Sequence, residues 1–334
     1  MERKLIAVAA SVAVVAVAIA VLAISGMHPA ASRGGNASYG QGFCLNAAQN
    51  ITAMRLAIDS GVTCFRTDIA PTAADEGYVS NVTKEGGSVL GILDYETVGA
   101  QPSPDGCISG CNWSLNDWNA SVYNALSEYP EVNAWEIWNE PLVPNFASGY
   151  ENSSALDYYE MIKSAYAIIK SREPNSTIVC FGGAQLFPIS VVRYEYQLYS
   201  KVWQYGASRY CDAISVHYYS QPYYNMSQQA EYGMTLGQEL NLTLNAYENL
   251  TGKPIWVTET GYASNGTPRS DLLQAAALRQ SMGFLSQYGF VKRIYWFHLA
   301  GASGAADFGL LNPNTLQPKP AWGSFLYFAR NGSN

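Results

Sequence analysis

The sequence predicts a (β/α)8 barrel, and three observations support this fold class. Eight short apolar segments alternate with longer helical segments from residue 42 to the end of the chain. The roughly 290 residues that hold them suit a barrel of this kind, which typically takes about 250. Polar side chains also gather at the carboxyl ends of the apolar segments, which in a barrel meet at one mouth. A doubly wound sheet is less consistent, because no glycine-rich phosphate turn follows an early strand.

Each predicted strand is a short, nearly continuous apolar run, as expected of a parallel strand that is buried on both faces. In chain order the predicted strands are 42–46, 62–69, 88–96, 132–140, 177–183, 213–219, 254–259 and 293–300. Helices are predicted near residues 50–59, 115–129, 154–172, 190–206, 228–249 and 270–287, with a last one after Pro320. The segment between the second and third strands has the weakest helical pattern and is predicted to be mostly loop.

The composition excludes two classes of protein. Charged residues make up 13% of the 334 residues, against roughly 25% in ordinary soluble proteins, and 24 Tyr, 8 Trp and 11 Phe are present. Disordered chains have the opposite composition. The net charge of -7 argues against a nucleic-acid partner. A neutral, polar and aromatic surface suits an uncharged polyhydroxy ligand.

The N-terminal region predicts a membrane segment. Residues 5–24 are apolar except for Ser11, and a helix of this length spans roughly 30 Å, the thickness of a bilayer core. The basic residues before it place the N-terminus in the cytoplasm and the rest outside. Two alternatives remain, an anchor or a cleaved signal peptide, since small residues near Ala31 suit a peptidase. We therefore expect a cytoplasmic tip plus anchor or signal (1–31), a flexible tether (32–42) and a folded domain (43–330), either on the extracellular face of the membrane or secreted.

Glycosylation acceptors and cysteines agree with an exterior location. The pattern Asn-x-Ser/Thr occurs twelve times, at Asn36, Asn50, Asn81, Asn112, Asn119, Asn152, Asn175, Asn225, Asn241, Asn249, Asn265 and Asn331. Of the six cysteines, Cys107 and Cys111 are placed to close a small loop by a disulfide. The other four, Cys44, Cys64, Cys180 and Cys211, fit either disulfides or buried thiols. A zinc site is not expected, because the sequence contains no Cys-x-x-Cys pair and only three His.

Two glutamates end apolar strands. Glu140 closes 135–140 and is followed by Pro141, which cannot continue a central strand, and Glu259 ends the strand that starts near residue 254. An alternation of period two would place Glu136, Trp138 and Glu140 on one side. Further functional groups lie at other strand ends, namely Arg66, Asn139, His217, Tyr219 and Trp296. His217 has an alternative interpretation as a structural core histidine, and Trp296 as filling of the barrel.

These motifs resemble those of clan A of the glycoside hydrolases, the retaining (β/α)8 enzymes that include families 5 and 39. Trp-Asn-Glu-Pro on strand four and Trp-Val-Thr-Glu-x-Gly on strand seven carry the resemblance. It implies Glu140 as general acid/base, Glu259 as nucleophile and Asn139 as a partner of the sugar 2-hydroxyl. It further implies substrate-binding roles for Arg66, His217, Tyr219 and, as an aromatic platform, Trp296. The chain departs from family 5 at the end of strand three, where 93–96 contains no His.

The chemistry of glycosidic cleavage explains this choice of residues. The transition state is oxocarbenium-like, so one carboxyl protonates the leaving oxygen while another attacks the anomeric carbon. Arg66 and Tyr219 are the candidates to keep Glu259 ionised, and Glu136 is interpreted as structural support. We expect a monomeric hydrolase of β-glycosidic bonds in extracellular polysaccharides or oligosaccharides, without metal or cofactor. The alternative is an inactive carbohydrate-binding surface glycoprotein, which would not need both glutamates.

Overall fold

The computed structural model describes residues 42–46, 50–70, 73–94, 96–98, 114–141, 152–185, 189–301 and 307–331. Eight parallel strands pair in sequence order and close into a barrel. Eight α-helices of the described residues accompany the strands. The predicted (β/α)8 barrel is confirmed.

The strands and helices alternate along the chain. The strands are β1 (Gly42–Asn46), β2 (Cys64–Asp68), β3 (Ser88–Leu93), β4 (Ala134–Ile137), β5 (Thr177–Gln185), β6 (Ala213–Tyr219), β7 (Ile255–Gly261) and β8 (Val291–Trp296). The helices are α1 (Ile51–Asp59), α2 (Ala73–Lys84), α3 (Leu115–Glu128), α4 (Asn152–Arg172), α5 (Ile189–Gln204), α6 (Leu236–Thr251), α7 (Pro268–Leu285) and α8 (Pro320–Asn331).

Two apolar clusters fill the barrel and its surroundings. The smaller cluster comes from alternate strand positions and comprises Cys44, Cys64, Leu90, Ala134, Val179, Ala213 and Tyr295. The larger cluster joins the other face of the strands to the helices. Since successive side chains of a strand point to opposite faces, the small cluster fills the lower interior of the barrel. The polar residues of the site lie further along the same strands.

Helix α2 occupies the segment that the sequence predicts to be mostly loop, so that prediction is wrong. Its sequence contains Gly77 and several β-branched residues, which lower intrinsic helix propensity. Three of its side chains, Tyr78, Val79 and Val82, are nevertheless buried in the main core. Tertiary packing therefore stabilises a helix that local propensity does not predict.

Helix α6 begins eight residues later than predicted. Residues before it form a loop in which Gln229 and Thr235 make an isolated antiparallel bridge. The side chain of Thr235 then caps the helix by accepting from the amide of Gln238, and the side chain of Gln238 accepts from the backbone amide of Thr235. This capping box is a strong signal for a helix start.

The predicted alternation at the end of strand four is also wrong. Strand β4 ends at Ile137, and both Trp138 (φ 69°) and Glu140 (φ 50°) adopt positive φ. Trp138 is buried and contacts Trp118 of α3, with ring centroids 5.9 Å apart. It therefore packs on the helix side and does not share a face with Glu136 and Glu140.

The four strand-associated cysteines form two disulfides. One joins Cys44 of β1 to Cys64 of β2, and the other joins Cys180 of β5 to Cys211, just before β6. These bonds decide between the two interpretations left open by the sequence. The predicted loop-closing pair, Cys107 and Cys111, lies outside the described residues.

The predicted N-terminal anchor and tether, apart from Gly42 in β1, lie outside the described residues. Within the described ranges, no helix combines the length and hydropathy that a membrane span needs. Of the glycosylation acceptors whose side chains are described, none is buried, and Asn175, Asn241, Asn249, Asn265 and Asn331 are exposed.

Candidate active site

The carboxyl ends of the strands bring the predicted polar residues together. Arg66 comes from β2, His217 and Tyr219 from β6, and Glu259 from β7, while Glu140 follows β4 in the turn after Trp138. Parallel strands of a closed barrel all end at the same mouth. Residues that are far apart in the sequence therefore share one buried cluster.

Arg66 is the hub of this cluster. Its Nε lies 2.5 Å from Oε2 of Glu136, and its Nη1 donates to Oε1 of Glu259 at 2.7 Å. Nη1 also donates to Oδ1 of Asn46 at 3.0 Å, and Nη2 donates to Oδ1 of Asn139 at 2.8 Å. The guanidinium is buried, and the rigid fork of its donors fixes the relative positions of four side chains.

Glu136 supports Arg66 from within the barrel. Its second oxygen accepts from the hydroxyl of Thr258 at 3.1 Å, and that hydroxyl also contacts Ser215 of β6. The carbonyl of Thr258 in turn accepts from Nδ2 of Asn46 at 2.8 Å. A buried charge must be paired and hydrogen-bonded. The contacts of Glu136 agree with the support role that the sequence suggests.

Glu259 is held as a carboxylate. Besides Arg66, its Oε2 accepts a short hydrogen bond from the hydroxyl of Tyr219, and Nδ1 of His217 lies 3.6 Å from the same oxygen. Burial raises the pKa of Glu259, but the charges of His217 and Arg66 and the bond from Tyr219 outweigh it and lower the pKa below its ordinary value. Both carboxylate oxygens thus accept from donors, and these contacts favour the ionised form of Glu259.

Glu140 has a different partner. Its Oε1 lies 2.8 Å from Nδ1 of His217. Burial lowers the pKa of His217, but the nearby carboxylates of Glu259 and Glu140 outweigh burial and raise it above its ordinary value. Because both neighbouring carboxyl groups are acceptors, Nδ1 of His217 carries a proton and donates it in the hydrogen bond to Glu140.

Glu140, His217 and Glu259 lie close enough to be considered as metal ligands. One ligand atom of each lies within 4.8 Å of the other two. However, Glu259 already accepts from Arg66 and Tyr219, and the guanidinium would repel a cation. The donor set fits a pair of carboxyl groups for acid/base and nucleophilic chemistry better than it fits a metal site.

Trp296 does not form an exposed platform. Its ring is fully buried, and its Nε1 donates to the carbonyl of Phe308 at 3.0 Å, as the alternative interpretation of barrel filling would have it. The next residue, Phe297, is only partly buried and contacts the ring of Tyr219 with centroids 6.0 Å apart. Phe297, directly after β8, is therefore an aromatic side chain that borders the site.

Two further polar residues of the site were not predicted from the sequence. Asn46 lies at the end of β1 and bonds Arg66. Asp94, directly after β3, occupies the region where family 5 carries a His. Burial and the neighbouring charge of Asp68 raise the pKa of Asp94 well above its ordinary value. A polar residue at the end of an apolar strand was the available signal for each of them.

Comparison with known proteins identifies the family. Residues 112–321 match the model of the glycosyl hydrolase catalytic core, which is more than half of the chain. The chain belongs to this glycosyl hydrolase family. The matched region contains Glu140, His217 and Glu259, whereas Arg66 precedes it. The resemblance to glycoside hydrolases that the strand-end motifs suggest is confirmed.

Solved glycosidase structures share the fold of this hydrolase. A chain described in a study of two fungal β-1,4-galactanases has 16% identity to this chain and a TM-score of 0.64. The match covers 87% of this chain and 99% of that one. Xylanase 10B from Thermotoga petrophila RKU-1, in complex with xylobiose, has 15% identity and TM-score 0.63, with 91% and 100% covered. The GH53 catalytic domain of Ignisphaera aggregans has 16% identity and TM-score 0.60, with 88% and 97% covered. No curated protein matches the sequence.

Proposed function

We propose that this glycosyl hydrolase cleaves β-glycosidic bonds with net retention, with Glu259 as nucleophile and Glu140 as general acid/base. The observation that carries the proposal is the unequal environment of the two carboxyl groups. Glu259 accepts from Arg66 and Tyr219, which keep it ionised, whereas the carboxyl group of Glu140 has a hydrogen-bond contact only with His217 among the described residues. Each offers an oxygen within 4.8 Å of the other. Retaining enzymes hold their carboxyl groups about 5 to 5.5 Å apart, and inverting enzymes hold them farther apart.

In the first step of the proposed reaction, Oε2 of Glu140 gives its proton to the glycosidic oxygen. The bond between that oxygen and the anomeric carbon breaks, and a carboxylate oxygen of Glu259 bonds to the carbon from the opposite face. Asn139 accepts from Arg66 through Oδ1, so its Nδ2 is oriented to donate to the sugar 2-hydroxyl. The products are the free leaving group and a glycosyl ester on Glu259.

In the second step, Glu140 acts as the base. It removes a proton from water while the water oxygen attacks the anomeric carbon and Glu259 leaves as a carboxylate. Two displacements restore the original configuration. His217 remains bonded to Glu140 throughout, and its raised pKa suits a residue between two carboxyl groups that take turns in carrying charge.

The proposed substrate is a β-linked polysaccharide or oligosaccharide. Support comes from the low charge of the chain, from the partly buried aromatic pair of Tyr219 and Phe297 beside the site, and from structural relatives described as a β-1,4-galactanase and a xylanase. We further propose that the enzyme is a monomer that works outside the cell. It would be attached to the membrane through residues 5–24, or secreted if that segment is removed.

Hydrolysis of a panel of soluble β-glycans tests the function. Release of reducing ends is measured on β-1,4-galactan, β-1,4-xylan and β-1,3-glucan, with and without EDTA. We expect the wild type to cleave at least one glycan equally well in both conditions. Glu259→Gln should lose about a thousandfold or more of that activity, since the covalent step is removed.

The exposed Glu128 provides a matched control, because Glu128→Gln makes the same chemical change on the surface of α3. This variant should keep wild-type activity. Binding of a glycan without any hydrolysis by the folded wild type would instead favour the inactive carbohydrate-binding protein. Loss of activity in EDTA would argue against a two-carboxylate mechanism.

A further inference from the structure

The hydroxyl of Tyr158 joins the ends of two strands that have stopped pairing. Strands β4 and β5 pair only as far as Glu136 with Val179. Beyond that point Tyr158, a fully buried residue of α4, donates to the carbonyl of Ile137 and accepts from the amide of Phe181, both at 2.8 Å. One hydroxyl thus replaces the missing rung of the ladder.

Phe181 is held on its other side as well. Its carbonyl accepts from the hydroxyl of Tyr199 of α5 at 2.5 Å, and the two rings lie 4.4 Å apart. Phe181 has φ 86°, a left-handed conformation that is costly for a bulky residue. Two buried tyrosine hydroxyls therefore satisfy both backbone groups of a strained residue.

Gly182 and Gly183, which follow Phe181, contact Glu140 directly. The carbonyl of Gly182 accepts a short bond from the amide of Glu140. A Cβ on Gly182 would lie 2.1 Å from the carbonyl oxygen of Trp138, and one on Gly183 would lie 2.5 Å from Cγ of Glu140. Only glycine allows the backbone of β5 to come this close to the turn that presents Glu140.

We propose that Tyr158 and Tyr199 are positioning residues for Glu140. They fix Phe181, and through Gly182 they fix the left-handed turn that aims the carboxyl group at the glycosidic oxygen. This proposal rests on the proposed function of Glu140 as general acid/base. Neither tyrosine needs to touch the substrate.

The two carboxyl groups are held by different parts of the barrel, and this makes the proposal testable. Glu259 is fixed by Arg66 of β2 and Tyr219 of β6. Among the described residues, neither of these side chains hydrogen-bonds to Tyr158 or Tyr199, whose bonds go to Ile137 and Phe181. Loosening the β4–β5 connection should therefore misplace the acid and spare the nucleophile. Only leaving groups that need protonation should then react more slowly.

Aryl β-glycosides of the sugar that the wild type cleaves are suitable probes. Tyr158→Phe removes one hydroxyl, and kcat/KM is measured on the phenyl and the 2,4-dinitrophenyl glycoside. We expect about a tenfold or larger loss on the phenyl substrate, and a change of less than about threefold on the dinitrophenyl substrate, whose leaving group needs no proton. Tyr199→Phe should show the same selectivity to a lesser degree, and Gly183→Ala to a greater degree.

Tyr78→Phe is the matched control. The hydroxyl of Tyr78, in α2, is buried and has no hydrogen-bond partner among the described residues, so both substrates should react as with the wild type. Equal losses on the two substrates in Tyr158→Phe and Tyr199→Phe would overturn the proposal, because they would indicate general destabilisation. Unchanged rates on both substrates would also overturn it.

Two further outcomes are distinguishable. If Tyr158→Phe lacks a cooperative thermal transition, Tyr199→Phe alone decides between the selective and the uniform loss. A folded wild type that is inactive on both aryl glycosides, and on the glycan panel, would overturn the proposed function itself. In that case the failure would not depend on any tyrosine variant.

Discussion

Arg66 determines the electrostatics of the site, because its four hydrogen bonds link Glu136, Asn46, Glu259 and Asn139. Its positive charge offsets two buried carboxylates, which would otherwise be costly to ionise. The ion pair between Arg66 and Glu259 also makes the environments of Glu259 and Glu140 different. Glu259 pairs with the guanidinium of Arg66, whereas Glu140 pairs with the imidazole of His217.

Removing the hydroxyl of Tyr219 should change the pH dependence of the enzyme. This hydroxyl helps to lower the pKa of Glu259, so Tyr219→Phe should raise that pKa and ionise the nucleophile only at higher pH. The acidic limb of the kcat/KM profile is therefore expected to move to higher pH, by about half a unit or more, since one hydrogen bond to a carboxylate stabilises it by about 1 kcal/mol or more. An acidic limb that stays in place, as it should in the control Tyr78→Phe, would argue against this role.

Glu140→Ala should separate acid catalysis from nucleophilic attack. A substrate with a poor leaving group should react about a hundredfold or more slowly, because general acid catalysis contributes about that much. A dinitrophenyl glycoside should form the glycosyl enzyme at nearly the wild-type rate, measured as a pre-steady-state burst of phenolate. Similar losses in the burst and with the poor leaving group would contradict the assignment.

The sequence predicted most of the polar residues that the structure brings together, but it did not predict their detailed geometry. Glu140, His217, Tyr219 and Glu259 were identifiable because each interrupts or ends an apolar run. The burial of Trp296 was not predicted, because the apolar sequence of β8 does not show which face carries its side chain. The position of Phe297 was not predicted either, because the backbone beyond a strand end does not follow the alternation of the strand. The same reason explains why Trp138 turned away from Glu140 after β4.

At the scale of elements, the predicted strands agree with the structure to within a few residues at each end. Burial on both faces gives parallel strands a strong apolar signal. The predictions for helices α2 and α6 differ from the structure because neither helix start is indicated by hydrophobic periodicity. The first depends on long-range packing of Tyr78, Val79 and Val82, and the second depends on the capping box at Thr235 and Gln238.

The disulfide between Cys180 and Cys211 should stabilise the barrel measurably. It links residues 31 positions apart, and closing a loop of that length in the unfolded chain is worth about 3 to 4 kcal/mol. The double variant Cys180→Ala/Cys211→Ala should lose about that much free energy of unfolding, measured by urea denaturation. The corresponding pair of changes at Cys44 and Cys64, 20 positions apart, should cost slightly less. A double variant as stable as the wild type would contradict the disulfide.

At the scale of the whole molecule, the apolar core and the polar site occupy different levels of the barrel interior. The lower interior is apolar, and the charged residues of the interior gather toward the mouth. In (β/α)8 barrels, functional specificity varies with the loops beyond the strands, and short sequence motifs do not encode the shape of such loops.

The outer surface of the domain is expected to be glycosylated. The acceptor asparagines whose side chains are described are not buried, so their positions in the fold are compatible with attached glycans. Enzymatic removal of N-glycans from the native protein should lower its mass in several steps, and mass spectrometry should find at least three of the twelve acceptors occupied. Fewer than three occupied sites would contradict this account of the surface. Protein made in a host without N-glycosylation provides the reference mass.

The anomeric configuration of the first product tests the central claim most directly. Proton NMR is recorded immediately after the wild-type enzyme is added to a β-linked substrate, before mutarotation mixes the anomers. Two displacements through Glu259 predict that the β-anomer appears first. If the α-anomer appears first, a single displacement by water has occurred, and Glu259 cannot be the nucleophile.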